Sequence, residues 1–327
     1  MHGPDPASPQ ALFELATAFQ RSRVLLSAFE LDLFTILNDQ ALTSAEVAAA
    51  ADADPRGTDR LMNALVALGL LRKDGDRFSN GPLAAQFLVR GRPEFMGGLG
   101  HTSNLWHSWS GLTDAVRRGG APPRPPVNER GDDWLRSFIT AMHGRAVSAA
   151  PEVVAASGLD RPSRVLDLGG GSGAFAMAFA RAGHTAVVFD LPNVVALTRA
   201  YVRAAGLAAQ VEIVAGDYLR DPIGGGYEAV LLSSVIHSHP PSENRALLGK
   251  VARALAPGGR IIVRDFLMDE NRGGPLQPAL FALNMLVGTP AGDTYTEHEV
   301  RGWLQEAGCR EVTRVDTPGA SLVIGRL

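Results

Sequence analysis

A glycine-rich segment that opens with a carboxylate is the first part of this sequence that could do chemistry. It reads Asp167-Leu168-Gly169-Gly170-Gly171-Ser172-Gly173. Glycines let a backbone turn tightly and approach a ligand closely. A carboxylate at this position would repel a pyrophosphate but would attract a ligand that carries cationic groups. The segment alone is weak evidence, because any tight turn from a strand into a helix uses glycine.

Two further acids follow at informative spacings. Asp190 lies about 20 residues after the glycine segment, where an acid binds ribose hydroxyls in related folds. Asp217, within Gly216-Asp217-Tyr218, is expected near the edge of an adenine, with Tyr218 able to stack on the ring. Each acid alone could cap a helix. Three acids at three neighbouring strand ends instead predict a ligand site.

The elements that must position these residues alternate along the second half of the chain. Apolar segments predict strands at residues 164–168, 186–190, 211–214, 229–233 and 260–263. Helical segments are predicted at residues 173–182, 194–205 and 242–255. This alternation predicts an α/β fold with an open, doubly wound, Rossmann-like sheet, which binds ligands beyond the carboxyl ends of its strands.

The first part of the chain has a different, mostly helical pattern. Apolar residues recur with helical spacing from Leu12 to Leu31. Two short helices, near residues 44–51 and 55–68, precede a hairpin at residues 70–79, and this order is typical of a winged helix. Such a module binds either DNA or another protein. The second predicted helix mixes arginines with aspartates and offers no basic stripe, which favours protein contact and dimerisation.

A stretch rich in proline, residues 119–126, separates the two parts. We therefore expect a helical winged-helix dimerisation domain at residues 1–118. A linker and connecting helix are expected at residues 119–150, and the sheet domain at residues 151–327.

Composition excludes several classes of protein. Of the 327 residues, 46% are hydrophobic and 20% are charged, which is typical of a globular chain, and the net charge of −3 favours neither nucleic acid nor an anionic membrane. No apolar stretch is long enough to predict a membrane span, and we expect no signal peptide, because the first ten residues lack its basic and apolar regions. Cys309 is the single cysteine, so no internal disulfide is possible. No spacing suggests a metal site, and we expect a cytoplasmic protein.

Taken together, the motifs resemble a known family over nearly the whole chain: the class I small-molecule O-methyltransferases with an N-terminal winged-helix dimerisation domain. Plant caffeate enzymes, acetylserotonin methyltransferases and bacterial antibiotic-tailoring enzymes belong to it. The resemblance is carried by residues 165–173, Asp190-Leu191-Pro192, Gly216-Asp217-Tyr218, Val235-Ile236-His237, Pro257-Gly258-Gly259-Arg260, residues 283–286, residues 296–299 and Ala307-Gly308.

The resemblance implies an S-adenosylmethionine-dependent homodimer that methylates a hydroxyl of a small, aromatic secondary metabolite. It implies a cofactor site made by Asp167, Gly169, Gly171, Asp190, Leu191, Gly216, Asp217, Tyr218 and Ser233. It also implies an acceptor pocket lined by Trp106, Met142, Phe281, Asn284 and Met285. No metal is implied.

The resemblance further assigns His237 as the general base on the acceptor hydroxyl, with Asp265 as an acid that orients it. An imidazole, with a reference pKa near 6.5, is a suitable base for a phenol with a pKa near 10. The sequence departs from the family where a second acid should stand, because Thr294 replaces a glutamate and Asp293 is one position away. His239 replaces a tryptophan, and Ser242-Glu243 replaces an Asp-Glu pair.

Because these departures lie on the chemical side, other interpretations stay open. His237 could simply fill a turn between a strand and a helix. A relative with this fold could hydroxylate, decarboxylate or catalyse a pericyclic step, or could methylate carbon or nitrogen. A winged-helix regulator that senses S-adenosylmethionine is the interpretation outside the enzymes.

Overall fold

The computed structural model describes residues 8–122, 131–317 and 319–327. The chain divides into two compact units, one that ends at Trp106 and one that runs from His107 to Leu327. This division comes earlier than the border expected at residue 118. Of the proline-rich stretch 119–126, residues 123–126 lie outside the described residues.

The N-terminal unit has the predicted order of helix, helix and hairpin. Its helices are α1 Pro9–Thr17, α2 Phe19–Glu30, α3 Leu33–Leu37, α4 Ser44–Ala50, α5 Pro55–Ala67, α6 Pro82–Phe87 and α7 Leu99–Trp109, which continues past the division. Its strands are β1 Leu42–Thr43, β2 Leu71–Asp74 and β3 Arg77–Asn80, which pair in the order β1-β3-β2. Thr43 and Glu46 form a capping box that starts α4, and Asp54 caps α5.

This unit has a small core of its own and an apolar surface beside it. Phe34, Leu37, Met62, Leu65 and Phe78 are almost fully buried. By contrast, the N-terminal helices leave large apolar side chains open to solvent within this chain: Leu12 is 55% exposed, Phe13 65%, Leu15 68% and Phe19 51%.

The second unit contains the predicted sheet. Its helices are α8 Leu112–Arg118, α9 Asp132–Ala156, α10 Ala174–Arg181, α11 Pro192–Ala204, α12 Pro241–Ala254, α13 Leu276–Gly288 and α14 Glu297–Glu306. Its strands are β4 Arg164–Leu168, β5 Thr185–Asp190, β6 Val211–Ala215, β7 Tyr227–Ser233, β8 Leu255–Asp265, β9 Leu267–Met268, β10 Tyr295–Thr296, β11 Glu311–Thr317 and β12 Ala320–Arg326.

The large sheet has seven strands in the order β11-β12-β8-β7-β4-β5-β6. The five strands from β4 to β8 are parallel, whereas β12 runs antiparallel to β8 and β11 antiparallel to β12. The chain winds one way from β4 through β5 to β6 and the other way from β7 to β8. The crevice where the order reverses, between the carboxyl ends of β4 and β7, is where such sheets bind ligands.

Apolar side chains bury both faces of this sheet. One face packs against α12 and α14 and the other against α9, α10 and α11. None of the helices in the described part of the chain combines the length and the apolar character that crossing a membrane needs.

Candidate active site

The glycine segment forms the turn that leaves β4 and enters α10. Gly169, Gly171 and Gly173 have φ values of 70°, 57° and 76°, in the left-handed region that favours glycine. A Cβ built on Gly169 would stand 3.1 Å from Val235 Cγ2 and 3.4 Å from Tyr218 Cε1. The loop therefore needs glycine for both its backbone conformation and its packing.

Asp167 lies beneath this loop and is 1% exposed. Its Oδ2 accepts a hydrogen bond from the backbone N–H of Ala176 at 3.2 Å, while its buried Oδ1 has no hydrogen-bond partner among the described residues. Burial, together with the nearby charge of Asp190, raises the pKa of Asp167 to about 7. A buried carboxylate oxygen without a partner favours a cationic group nearby.

Asp190 ends β5 and turns back toward the glycine loop. Its Oδ2 accepts from the N–H of Gly171 at 2.7 Å and its Oδ1 from the N–H of Leu191 at 2.7 Å. Burial raises the pKa of Asp190 to about 6, although both backbone hydrogen bonds oppose the shift. The carboxylate thus braces the loop, and the unused lone pairs of its oxygens remain available to a ligand.

The third predicted acid lies at the end of β6. Gly216 donates its N–H to Asp190 O at 2.9 Å, and a Cβ there would stand 2.4 Å from the ring of Phe189, so no larger residue fits. Asp217 accepts from the N–H of Leu219 at 2.9 Å. Tyr218 follows, with its ring beside Gly169. The structure thus brings the ends of β4, β5 and β6 together, as the spacing predicts.

Contacts from α9 and α11 also support the loop, and sequence reasoning missed them. His143 Nδ1 lies 2.8 Å from Ser172 Oγ, and its ring stacks on Tyr201 at 4.2 Å. Thr198 donates its hydroxyl to Gly171 O at 2.6 Å. No local pattern could reveal these pairs, because 29 residues separate His143 from Ser172 and 27 separate Thr198 from Gly171.

His237 and Asp265 form the second part of the site. His237 lies in a short 3-10 helix, Ile236–Ser238, after β7, and Asp265 ends the neighbouring strand β8. His237 Nδ1 lies 2.8 Å from Asp265 Oδ1 and 3.0 Å from Oδ2, and both side chains are buried. A carboxylate can only accept, so the proton belongs on Nδ1, and no described residue hydrogen-bonds to Nε2.

The loop that contains Asp293 and Thr294, where the family pattern has a second acid, does not bring a carboxylate against His237. Thr294 is fully buried, with its hydroxyl 3.4 Å from Pro278 O. The carboxylate of Asp293 accepts from the N–H of Thr294 at 2.8 Å and lies 3.5 Å from Arg272. The loop meets His237 through its backbone instead, since the N–H of Asp293 donates to His237 O at 3.0 Å.

The predicted acceptor residues of the second unit lie mainly on α13. The ring of Phe281 packs edge-on against His237 at 4.8 Å. One turn further, Asn284 Oδ1 accepts from Trp109 Nε1 at 3.0 Å, and Met285 beside it is buried. Met142 is half-buried on α9.

The two remaining predicted residues have other surroundings. The ring of Trp106 packs at a tilt against that of Phe19, with 6.1 Å between ring centres, within the N-terminal unit, so its place in an acceptor pocket stays a prediction. Ser233, the last residue of β7, accepts from Arg264 Nη1 at 3.4 Å. Within the described residues, no group of three or more His, Cys, Asp or Glu side chains could hold a metal ion.

Comparison with protein families identifies both parts of the chain. A family model described as an O-methyltransferase domain matches residues 109–310. A second model, described as an O-methyltransferase dimerisation domain, matches residues 13–90. Together they cover most of the sheet unit and most of the winged-helix unit.

Several known proteins resemble the chain over nearly its whole length. A 3-hydroxy-5-methyl-1-naphthoate 3-O-methyltransferase of Streptomyces sahachiroi is 34% identical and is matched over 98% of this chain and 96% of its own. The tetracenomycin polyketide synthesis 8-O-methyl transferase TcmO of Streptomyces glaucescens is 32% identical over 97% and 96%. The N,N-dimethyltransferase OxyT of Streptomyces rimosus is 32% identical over 95% and 94%.

Solved structures agree with these relatives. PigF with S-adenosylhomocysteine is 26% identical, with a TM-score of 0.90 over 98% of this chain and 100% of that chain. Human N-acetylserotonin methyltransferase in complex with S-adenosylmethionine is 28% identical, with a TM-score of 0.85 over 100% and 99%. The chain therefore belongs to the O-methyltransferase family and is an S-adenosylmethionine-dependent O-methyltransferase.

Proposed function

We propose that the enzyme methylates a phenolic hydroxyl of a small aromatic metabolite and that His237 is the general base. The observation that most directly supports this proposal is the hydrogen-bonded pair of His237 and Asp265. Because Asp265 holds the proton on Nδ1, the lone pair of Nε2 is left to receive a proton from the acceptor. The same arrangement argues against a purely structural role for His237, which would leave no reason to pair it with a buried carboxylate.

When bound, S-adenosylmethionine would supply a methyl group activated by its sulfonium. The acceptor oxygen would bond to the methyl carbon as the carbon–sulfur bond breaks, and S-adenosylhomocysteine would leave. His237 Nε2 takes the hydroxyl proton as the oxygen becomes nucleophilic. The imidazole becomes cationic, and Asp265, 2.8 Å from Nδ1, stabilises that charge and keeps the ring oriented. Phe281, packed edge-on against the imidazole, restricts the ring and excludes water beside it.

We assign the cofactor to the crevice at the carboxyl ends of β4, β5 and β6. The unpartnered Oδ1 of Asp167 and the raised pKa of that carboxyl suit a ligand with cationic groups. Asp190 would accept hydrogen bonds from the ribose hydroxyls, with Leu191 packed beside the ribose, and the segment Gly216–Tyr218 would meet the adenine. The loop from Gly169 to Gly173 and Ser233 would line the rest.

The acceptor pocket is proposed on the His237 side of this crevice. Asn284 lies one helical turn from Phe281, and Trp109 holds its carbonyl oxygen, so its amide N–H groups can meet an oxygen of the acceptor. Two relatives are named for a hydroxynaphthoate and for a tetracenomycin polyketide. A hydroxylated fused-ring aromatic with a second oxygen function is therefore the acceptor class that we propose.

The test is methyl transfer from labelled S-adenosylmethionine to a panel of hydroxynaphthoates, simple phenols and aromatic polyketides. Each hydroxyl compound is paired with its O-methyl ether as a matched control. We expect label in the hydroxyl compound and none in its ether. Label in amines of the panel but in no hydroxyl would favour the second candidate, N-methylation, for which the N,N-dimethyltransferase relative argues.

A homodimer built by the N-terminal unit completes the proposal. The dimerisation-domain match covers residues 13–90, and the exposed Leu15 and Phe19 offer an apolar face for a second copy. Deletion of residues 1–40 should leave a poorly soluble chain. A stable, active monomer of that truncation in solution scattering would contradict the dimer. The expected cytoplasmic location stays a prediction.

A further inference from the structure

Three hydrogen-bonded side chains form a line that begins beside the glycine loop. Tyr218 Oη lies 2.8 Å from His239 Nε2, and His239 Nδ1 lies 3.0 Å from Glu243 Oε2. The ring of Tyr218 is the part that approaches the loop, because its Cε1 lies 3.4 Å from the position of a Cβ on Gly169. The line therefore connects the loop to the half-exposed carboxylate of Glu243.

The donors and acceptors along this line are consistent with one protonation state. The carboxylate of Glu243 accepts, so His239 carries its proton on Nδ1 and presents a lone pair on Nε2. Burial raises the pKa of the Tyr218 hydroxyl far above its usual range, so this hydroxyl stays protonated and donates a hydrogen bond to Nε2. Burial also lowers the pKa of His239, which favours the neutral ring that this arrangement needs.

Both ends of the line are fixed to the same helix, α12. Glu243 lies in its first turn, where a carboxylate interacts favourably with the helix dipole. The side chain of Asn244 donates to His239 O at 3.1 Å, and Lys250 Nζ donates to Tyr218 O at 2.8 Å. The backbones of Tyr218 and His239 are therefore held, and the hydrogen bond between their side chains fixes the remaining freedom of the tyrosine ring.

We propose that His239 is a positioning residue of the cofactor site, which holds the Tyr218 hydroxyl and thereby keeps the tyrosine ring beside Gly169. The proposal rests on the assignment of the glycine loop to the cofactor under Proposed function. A tryptophan, which the family pattern has at position 239, can donate from its indole but cannot accept from a tyrosine hydroxyl. The link between these two residues is thus particular to chains with a histidine there.

The test is the dissociation constant of S-adenosylhomocysteine, measured by calorimetry on the full-length protein. Tyr218→Phe keeps the ring and removes the hydroxyl, and His239→Leu removes the acceptor. We expect each to raise the dissociation constant roughly 3–10-fold, the size of one lost buried hydrogen bond. The KM for S-adenosylmethionine should rise with it, while kcat at saturation stays near that of the wild type.

Two comparisons separate positioning from a general loss of structure. His239→Gln retains an acceptor for the tyrosine hydroxyl and should restore binding to within about 2-fold of the wild type, on the same reasoning. Tyr227→Phe is the matched control, because that buried hydroxyl donates to Ile223 O at 2.9 Å at the opposite end of β7, and it should leave the dissociation constant unchanged.

A double-mutant cycle decides the mechanism. If His239 acts through the Tyr218 hydroxyl, His239→Leu adds no further loss of affinity in a Tyr218→Phe background. Additive losses, an unchanged dissociation constant in Tyr218→Phe, or a loss in His239→Gln as large as that in His239→Leu would each overturn the proposal. Unchanged affinity in Gly169→Val would instead overturn the assignment of the loop itself. If His239→Leu fails to fold, Tyr218→Phe and His239→Gln still decide the question.

Discussion

The proposed cofactor side and the proposed acceptor side of the active site are built in different ways. On the cofactor side, three glycines with positive φ and backbone N–H groups bonded to Asp190 set the geometry. On the acceptor side, the side chains of His237 and Asp265 set it, with Phe281 of α13 packed edge-on against the imidazole. One half is made mainly of main chain and the other mainly of side chains.

This difference explains why the departures from the family pattern fall on single side chains, Thr294 on the acceptor side and His239 on the cofactor side, and not on the glycine turn. A backbone turn with positive φ values admits almost no residue but glycine, so its pattern is preserved. A side chain that orients another can be replaced singly, and here Thr294 stands where the pattern has an acid. The loop still supports His237, through the N–H of Asp293 rather than through a carboxylate. We therefore expect substitutions on the two sides to separate cofactor binding from turnover.

The largest expected effect is on the backbone-built side. Gly169→Val should abolish binding of S-adenosylhomocysteine in calorimetry, because valine disfavours a φ of 70° and its Cβ would press on Val235 and Tyr218. Gly144→Ala is the control, since a Cβ on that glycine meets nothing within 4 Å. Wild-type affinity in Gly169→Val would contradict the assignment of the loop and remove one half of the comparison.

The next effect should fall on turnover alone. His237→Ala removes the base and should lower kcat by roughly 10²–10⁴-fold, the range that general-base catalysis contributes. The dissociation constant of S-adenosylhomocysteine should stay near that of the wild type, because His237 acts on the acceptor. A parallel loss of cofactor affinity would mean that the two sides are not separate.

A smaller loss of turnover is expected when the orienting acid is changed. Asp265→Asn should cost less than His237→Ala, because the acid tunes the imidazole without touching the acceptor. Its effect should still exceed that of either acid in a two-acid site, since it is the single carboxylate seen on His237 among the described residues. Asp293→Asn is the control, and a loss equal to that of Asp265→Asn would show that Asp293 serves as the second acid.

The smallest effect concerns the pH dependence of stability on the cofactor side. Burial raises the pKa of Asp167 from its ordinary value to about 7, so the folded protein binds this proton more tightly than the unfolded chain does. The stability that this provides is complete below the unfolded value and is lost as the pH rises through about 7. Between pH 5.5 and 8.5, the cofactor-free wild type should therefore lose more thermal stability than Asp167→Asn.

This measurement is the difference between two melting temperatures at each pH. Each 1 kcal/mol corresponds to about 2–4 °C for a domain of this size, so a difference of several degrees is expected. Equal losses in the wild type and in Asp167→Asn would show that the carboxyl is already ionised in the folded state at pH 5.5.

Much of the fold could be predicted because its signals are local. The capping box of Thr43 and Glu46 and the apolar strand Arg164–Leu168 lie within a few residues each. The last two strands, β11 and β12, were not predicted. Most residues of β11 are exposed and give no apolar pattern, and β12 is assigned by its antiparallel pairing with β8, some 60 residues away in sequence.

In the candidate site too, features with a local sequence signal could be predicted and features that depend on distant contacts could not. Gly169, Asp190 and Gly216 could be predicted because each lies at the end of a strand or directly after it, and the ends of parallel strands meet at one edge of a sheet. The bond of His239 to Tyr218 could not, because it depends on side-chain rotamers across two loops.

The central claim, that His237 removes the acceptor proton, is tested most directly by the pH dependence of kcat in the wild type and in His237→Ala with one phenolic acceptor. We predict that the wild-type rate rises with pH and then levels, because only an unprotonated base can take the proton of the acceptor. In His237→Ala this limb should vanish, and the residual rate should rise only as the phenol itself ionises, near its pKa of about 10. A limb of the same shape in both proteins, or a wild-type rate in His237→Ala, would contradict the claim.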